Sequence, residues 1–313
     1  MNASVAAIQN NAPLDTHLHV VIVVSNPCQY RRRIALAHAC VARLRATREC
    51  IVYVVEWAGE GQAFQVTEAE HPRHLQVRSA NPLWHKENLI NLGVERLLPP
   101  TWRAMAWIDA DIEFDNPHWA SDTLKILNGC YDVVQLWSHA CDLNAAEETM
   151  QVFQGFGYQH TRSTAMLAHS HHLWHPGFAW AMTRAAFEQV GGLYDLSILG
   201  AGDRNMAMAW RGMARGTLHK DMTANYRATL NAWETRAAGL RLGYVPGVIR
   251  HYYHGAKINR QYESRWTILR DYAYAPLDHV QYDEQGVLVP TPTCPVGLLT
   301  AILAYFHARQ EDD

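Results

Sequence analysis

The sequence predicts an α/β fold, and three observations predict it. A continuous β-branched run, His19 to Ser25 (HVVIVVS), reads as a buried strand that ends in a loop at Asn26-Pro27. A helical pattern from Ile34 to Leu44 follows, and Cys50 to Val55 (CIVYVV) is a second strand, the order of a βαβ unit. Farther on, Lys86 to Leu98 carries apolar residues at helical spacing, stops at Pro99-Pro100, and leads into another apolar run from Met105 to Ile108.

A chain of 313 residues, 49% hydrophobic, can bury a sizeable core in one large or two small domains. Its formal net charge of -3 provides no global attraction to nucleic acid or anionic membranes, although a local basic patch is compatible with it. The first residues have neither a basic start nor a long apolar core, and no later apolar run approaches the length of a bilayer span. A soluble, cytoplasmic protein is the expectation. Six cysteines (Cys28, Cys40, Cys50, Cys130, Cys141, Cys294) show no CxxC pairing, which argues against a zinc ribbon or a disulfide framework and for reduced, mostly buried thiols.

The remaining elements follow in order. Residues 58 to 80 are polar, with a short strand at Leu75 to Val77; Trp119 to Leu127 is a helix and Asp132 to Trp137 a strand. Residues 142 to 172 lack a clear period, and the run His169-Ser170-His171-His172-Leu173-Trp174-His175 is too crowded for a metal site and reads as a mobile loop. From His175 come a turn, a short strand, a helix from near Thr183 and a Gly191-Gly192 stop. Gly200-Ala201-Gly202-Asp203 then leads into a helix from Arg204 to Arg211. Residues 217 to 240 are helical, Gly243 to His251 returns to strand character, and Pro295 to His307 is a helix expected to pack on the body. There is no internal repeat and no linker.

The chemistry centres on Asp109-Ala110-Asp111, where the apolar run of Met105 to Ile108 ends in two aspartates. In a strand, side chains at i and i+2 point the same way, and the C-terminal edge of such strands is where open α/β sheets bind ligands. Two hard oxygen donors suit Mg²⁺ or Mn²⁺, which in turn suits a diphosphate. The pair alone is weak, because 30 acids in 313 residues produce roughly three acid-x-acid pairs by chance.

The order of parts resembles the GT-A glycosyltransferases, and within them the metal-dependent, inverting beta-1,4-galactosyltransferase group. The run WHKENLINLGVERLLPPTWRAMAWIDADIEF carries the likeness most specifically, and at the level of motif order it extends over residues 19 to 270. The resemblance implies a Rossmann-like nucleotide-sugar-binding domain over residues 15–275, a single mixed sheet flanked by helices, and a C-terminal extension over 276–313 with one helix packed on the body. It implies transfer of a sugar from a nucleotide-diphosphate donor, UDP-linked, to an acceptor glycan or other hydroxyl compound with Mn²⁺ or Mg²⁺.

By the same resemblance, Pro27, Tyr30, Arg31 and Arg33 form the nucleotide loop; physically, a guanidinium pairs with phosphate and a tyrosine covers a base, while a solvated basic loop is the competing reading. Trp84 and Lys86 match the aromatic and basic pair of the nucleotide site, against helix capping and core packing. Asp109 leans toward the ribose or the metal's water shell, and Asp111 takes the metal. Gly177 and Trp180 resemble the floor under the donor sugar, with a turn and a core tryptophan as the alternative. Asp203 matches the general base, against a helix N-cap; Gly202 departs from the family, which has an acid there that helps hold the acceptor. Either His251 or His254 completes the metal set, one of them only unless the chain turns between, with His254 slightly favoured. Lys257 and Arg260 would close over the diphosphate as part of a lid.

The main rival is a sugar nucleotidyltransferase, which would need a Gly-rich phosphate loop where this chain has SNPCQYRRR. A non-catalytic binding module conflicts with a metal set accompanied by a base. A modified nucleic-acid base as acceptor is disfavoured by the overall acidity but kept open by the Arg31 to Arg33 cluster.

Overall fold

The computed structural model describes residues 3–162, 172–262 and 264–313. After a short helix α1 (Ala3–Gln9), the chain runs through β1 (Leu18–Ser25), α2 (Arg31–Ala46), β2 (Cys50–Ala58), β3 (His74–Arg78), α3 (Lys86–Leu97) and β4 (Ala104–Ile108). It continues with β5 (Ile112–Phe114), α4 (Trp119–Ile126), β6 (Val133–Gln135), β7 (His139–Leu143), β8 (Thr149–Gln154), α5 (Phe156–Arg162), β9 (Ala179–Thr183), α6 (Arg184–Val190) and α7 (Gly202–Ala209). The last part comprises α8 (Ala224–Ala237), β10 (Leu242–Tyr244), β11 (Val248–His251), α9 (Trp266–Asp271), α10 (Pro276–His279), β12 (Val280–Tyr282), β13 (Leu288–Pro290) and α11 (Val296–Ala308).

The main sheet is the expected mixed α/β sheet, seven strands in the order β10-β6-β9-β4-β1-β2-β3. Strands β3, β2, β1 and β4 are parallel, and β9 runs antiparallel between β4 and β6. The β-branched run of β1 is buried on both faces because helices cover both: Val20, Ile22 and Val24 join one core cluster and Val21 the other. Helix α3 lies close on the sheet at Gly93, where a Cβ would lie 2.8 Å from Val55 Cγ2 and 2.9 Å from Val21 Cγ1. The parallel strands bring Ser25 and Ile108 to one edge, and the loops leaving that edge build the site.

A second sheet, β5-β11-β7-β8, is not foreseen by the sequence reading. It draws β8 and the end of β7 from residues 142 to 172, where polar side chains on a half-exposed sheet leave no readable period. In it β11 is antiparallel to β5 and parallel to β7, which sets His251 opposite both Ile112 and Asp142. The Asp109-Ala110-Asp111 segment lies in the turn between β4 and β5, so its two carboxylates are not bound to a strand's period of two. A two-stranded ribbon, β12-β13, precedes α11, which packs through Leu298, Ile302, Tyr305 and Phe306. All six cysteines are free thiols, but only Cys40 and Cys294 are fully buried, fewer than expected. Among the described residues, no helix is long and apolar enough to cross a membrane.

Candidate metal centre and catalytic cluster

Asp111, His251 and His254 bring one donor atom each within 4.8 Å of one another. Asp111 is placed by the turn after β4, and Tyr252 N donates to Asp111 O at 2.8 Å, which ties that turn to the chain leaving β11. The chain does turn between the two histidines, so both reach the same carboxylate: His254 Nε2 lies 2.8 Å from Asp111 Oδ2 and His251 Nε2 3.8 Å from Asp111 Oδ1. Behind the rings, His251 Nδ1 is 2.6 Å from Asp142 Oδ1, and His254 Nδ1 is 3.4 Å from Glu311 Oε2.

The electrostatics suit a cation. Burial alone would raise the Asp111 carboxyl, but His254 and His251 outweigh it and hold it well below the usual carboxylate range. Burial, reinforced by the nearby Arg260 guanidinium, pushes the His254 pKa below its ordinary value, against the pull of Asp111. Asp111 Oδ1 is buried with no hydrogen-bond partner. An anionic oxygen and two imidazole nitrogens fit Mn²⁺ better than Mg²⁺, which prefers an all-oxygen shell.

A second cluster lies beside it. Lys86 Nζ, at the first residue of α3, reaches Asp109 Oδ1 at 2.6 Å and Asp203 Oδ2 at 2.9 Å. The two aspartates of the Asp-Ala-Asp segment therefore diverge, Asp109 to the lysine and Asp111 to the histidines. Asp203 sits in the first turn of α7, whose N-cap is Ala201, so the capping alternative does not hold. Its Oδ1 is buried without a partner. Glu87 faces the same helix start, and its carboxylate fills the space a side chain at Gly202 would need, which explains why this chain has glycine there. Both Glu87 oxygens lack partners, and burial together with the Asp203 charge pushes this acid up to about 8. Burial, with Asp203 adding to it and Lys86 opposing it, raises Asp109 to about 6.

Gly177 adjoins this cluster: a Cβ there would lie 3.0 Å from His175 Cε1 and 3.9 Å from Asp203 Oδ2. Trp180 is corrected to a core residue. It is 1% exposed, packs on Trp210 with ring centroids 4.8 Å apart, and donates Nε1–H to Pro176 O at 2.7 Å, leaving no face for a sugar. His172 and His175 of the histidine run belong to neither cluster, and His175 stacks on Phe178 at 4.4 Å. The stretch His169-Ser170-His171 lies outside the described residues.

The expected nucleotide loop lies against residues 306–312 of the same chain. Tyr30 Oη donates to Phe306 O and His307 O, both at 2.9 Å, Arg33 Nε pairs with Glu311 Oε2 at 3.2 Å, and Asp312 accepts the backbone N–H groups of Arg31 and Arg32. Pro27 O accepts from Gln62 Nε2. Trp84 stacks with Phe306 and lies under the Arg309 guanidinium. Lys257 pairs with Asp142 and donates to Gln151 Oε1, while Arg260 Nη2 donates to His254 Nε2 at 2.7 Å. Sequence reasoning missed Asp142, Glu87 and Glu311. Asp142 carried no signal because its strand is too irregular to place, and Glu311 none because only the fold brings it to His254.

No family model matches the chain, and no curated protein matches it at the threshold of significance. Solved structures do match. One is a Drosophila beta-1,4-galactosyltransferase 7 variant in complex with manganese, UDP-Gal and xylobiose, 12% identical, covering 91% of this chain and 98% of that one at a TM-score of 0.43. Another is a Pyrobaculum calidifontis mannosyltransferase in complex with GDP-Man and Mn²⁺, 14% identical, covering 98% and 77% at 0.43. An inositol-1-phosphate CTP transferase from T. maritima matches at 8% identity, covering 76% and 90% at 0.39. TM-scores at this level leave the functional reading to the site itself.

Proposed function

We propose that this chain is a metal-dependent glycosyltransferase that moves a sugar from a nucleoside-diphosphate donor, UDP-linked, to an acceptor hydroxyl with inversion. One observation carries the reading: Asp111, His251 and His254 converge after β4, and the Asp109–Lys86–Asp203 cluster lies on the other side of the same turn. The proposal takes residues 15–275 as the GT-A domain and 276–313 as its extension. Mn²⁺ held by Asp111, His251 and His254 would neutralise charge on the departing diphosphate.

Asp203, held by Lys86 through Oδ2 and with its side chain 20% exposed, would take the proton from the acceptor hydroxyl. The acceptor oxygen then bonds to the anomeric carbon on the face opposite the diphosphate. The carbon–oxygen bond to the diphosphate breaks, and the nucleoside diphosphate leaves with that electron pair. No enzyme nucleophile takes part. Arg260 is the cation beside the metal set, and Arg33 and Lys257, paired with Glu311 and Asp142, would reach the donor's phosphates by exchanging those partners. Asp109 and Gly177 line the ribose and sugar side.

The test is nucleotide release over a panel of sugar nucleotides, with Mn²⁺ and with chelator, followed by the anomeric configuration of the product. Release that ignores chelation overturns the metal role, and a retained anomer overturns the inverting step. Formation of a sugar nucleotide from a sugar phosphate and a nucleoside triphosphate would instead identify a nucleotidyltransferase.

A further inference from the structure

We propose that Glu311 is a positioning residue that fixes the tautomer and orientation of His254, as Asp142 does for His251; the inference rests on the metal-dependent reading above. The two histidines have the same order of partners, although His251 Nδ1 is hydrogen-bonded to its carboxylate and His254 Nδ1 faces Glu311 without a hydrogen bond. Each has a carboxylate behind Nδ1, Asp142 Oδ1 at 2.6 Å for His251 and Glu311 Oε2 at 3.4 Å for His254, and each turns Nε2 toward Asp111. A neutral imidazole has one N–H and one lone pair, and an ionised carboxylate only accepts. At His251 the N–H therefore belongs on Nδ1, 2.6 Å from Asp142, and the lone pair on Nε2, 3.8 Å from Asp111, where an ion would take it. At His254 the Asp111 carboxylate, 2.8 Å from Nε2, competes with Glu311, 3.4 Å from Nδ1, for the single N–H, and Arg260 decides between them.

Arg260 selects the same tautomer at His254. A guanidinium is a donor only, and its Nη2 lies 2.7 Å from His254 Nε2, so Nε2 carries the lone pair. Glu311 is itself fixed in place, 1% exposed, with Arg33 Nε at 3.2 Å and Arg309 Nη2 at 2.6 Å. Asp312 pins the segment to the start of α2, accepting from Arg31 N at 3.1 Å and Arg32 N at 2.8 Å. Gly255, at φ +87°, permits the approach, since a Cβ there would lie 2.8 Å from Gln310 O.

Long-range ¹H–¹⁵N NMR of the metal-free protein reads the tautomers directly. Wild type is expected to show Nδ1–H at both His251 and His254. Glu311→Gln is expected to lose the single tautomer at His254 alone, and Asp142→Asn at His251 alone. Mn²⁺ affinity, followed by the EPR signal of the free ion, should fall about 10- to 100-fold in Glu311→Gln and recover in part in Glu311→Asp. An Nε2–H tautomer at His254 in wild type overturns the proposal without any variant. So does a Glu311→Gln protein with wild-type tautomer and Mn²⁺ affinity. Tighter binding of a nucleoside diphosphate to Glu311→Gln at unchanged Mn²⁺ affinity overturns it in favour of Glu311 as an anion standing in the donor's place. Wild type that shows both Nδ1–H tautomers yet binds no Mn²⁺ supports the positioning and sinks the metal reading.

Discussion

Lys86 and Asp203 stand 117 positions apart and meet at 2.9 Å, and the same ammonium holds Asp109 at 2.6 Å. One cation thus joins the start of α3, the turn after β4 and the start of α7. Burial pulls the lysine down, but Asp109 and Asp203 outweigh it and raise its pKa well above the ordinary value. Lys86→Met would leave two carboxylates facing each other with little solvent, at a cost of about 3 kcal/mol. Thermal or urea unfolding measures this, and an unchanged midpoint would show the bridge to be incidental.

Asp203→Asn keeps the shape and removes the base. Sugar transfer should fall by roughly 10²- to 10⁴-fold in kcat with a small change in donor KM. Steady-state transfer to a defined acceptor reads both constants, and full transfer by the variant would exclude Asp203 as the base.

Glu87 should make stability depend on pH. Its folded pKa is raised from 4.5 to about 8, so between those values the folded state binds more protons than the unfolded chain, and stability falls as pH rises through that window. Asp109, raised to about 6, acts in the same direction over the lower part. Glu87→Gln removes the larger contribution, so relative to wild type it should gain at least about 1 kcal/mol between about pH 5 and about pH 9. Parallel melting curves of the two proteins test this, and a constant difference across the range would contradict it.

Asp111→Asn takes the only anionic donor from the metal set and should weaken Mn²⁺ binding by at least about 100-fold. Titration calorimetry is the direct measurement. The variant should still fold, because Asp111 lies in a turn and no backbone pairing of the main sheet depends on its carboxylate.

Gly93→Ala tests the packing that positions α3. With Val55 Cγ2 at 2.8 Å and Val21 Cγ1 at 2.9 Å from the new Cβ, the helix must lift from the sheet, costing about 1–3 kcal/mol. Because Lys86 and Glu87 open that helix, the urea midpoint and the transfer rate should fall together.

Much of this protein was legible in the chain itself. Apolar runs such as HVVIVVS and CIVYVV mark strands buried on both faces, and KENLINLGVERLL followed by two prolines marks a helix with its end, because those signals are local. The chemistry-bearing positions Asp111, Asp203, His251 and His254 were also named from sequence, as residue types at suitable places in the order of parts. Which of them meet was decided only by tertiary structure. The turn after β4 separates Asp109 from Asp111, the pairing of β11 with β5 and β7 brings His251 between Asp111 and Asp142, and the bend after β11 adds His254. Trp180 and Glu311 show the same limit from opposite sides. A tryptophan beside a glycine turn looks like a sugar platform until strand register buries it, and a glutamate after the last helix looks like solvent-exposed charge until the fold seals it against a histidine 57 positions earlier. Side-chain contact between distant segments depends on register and on helix placement, and no local pattern encodes either.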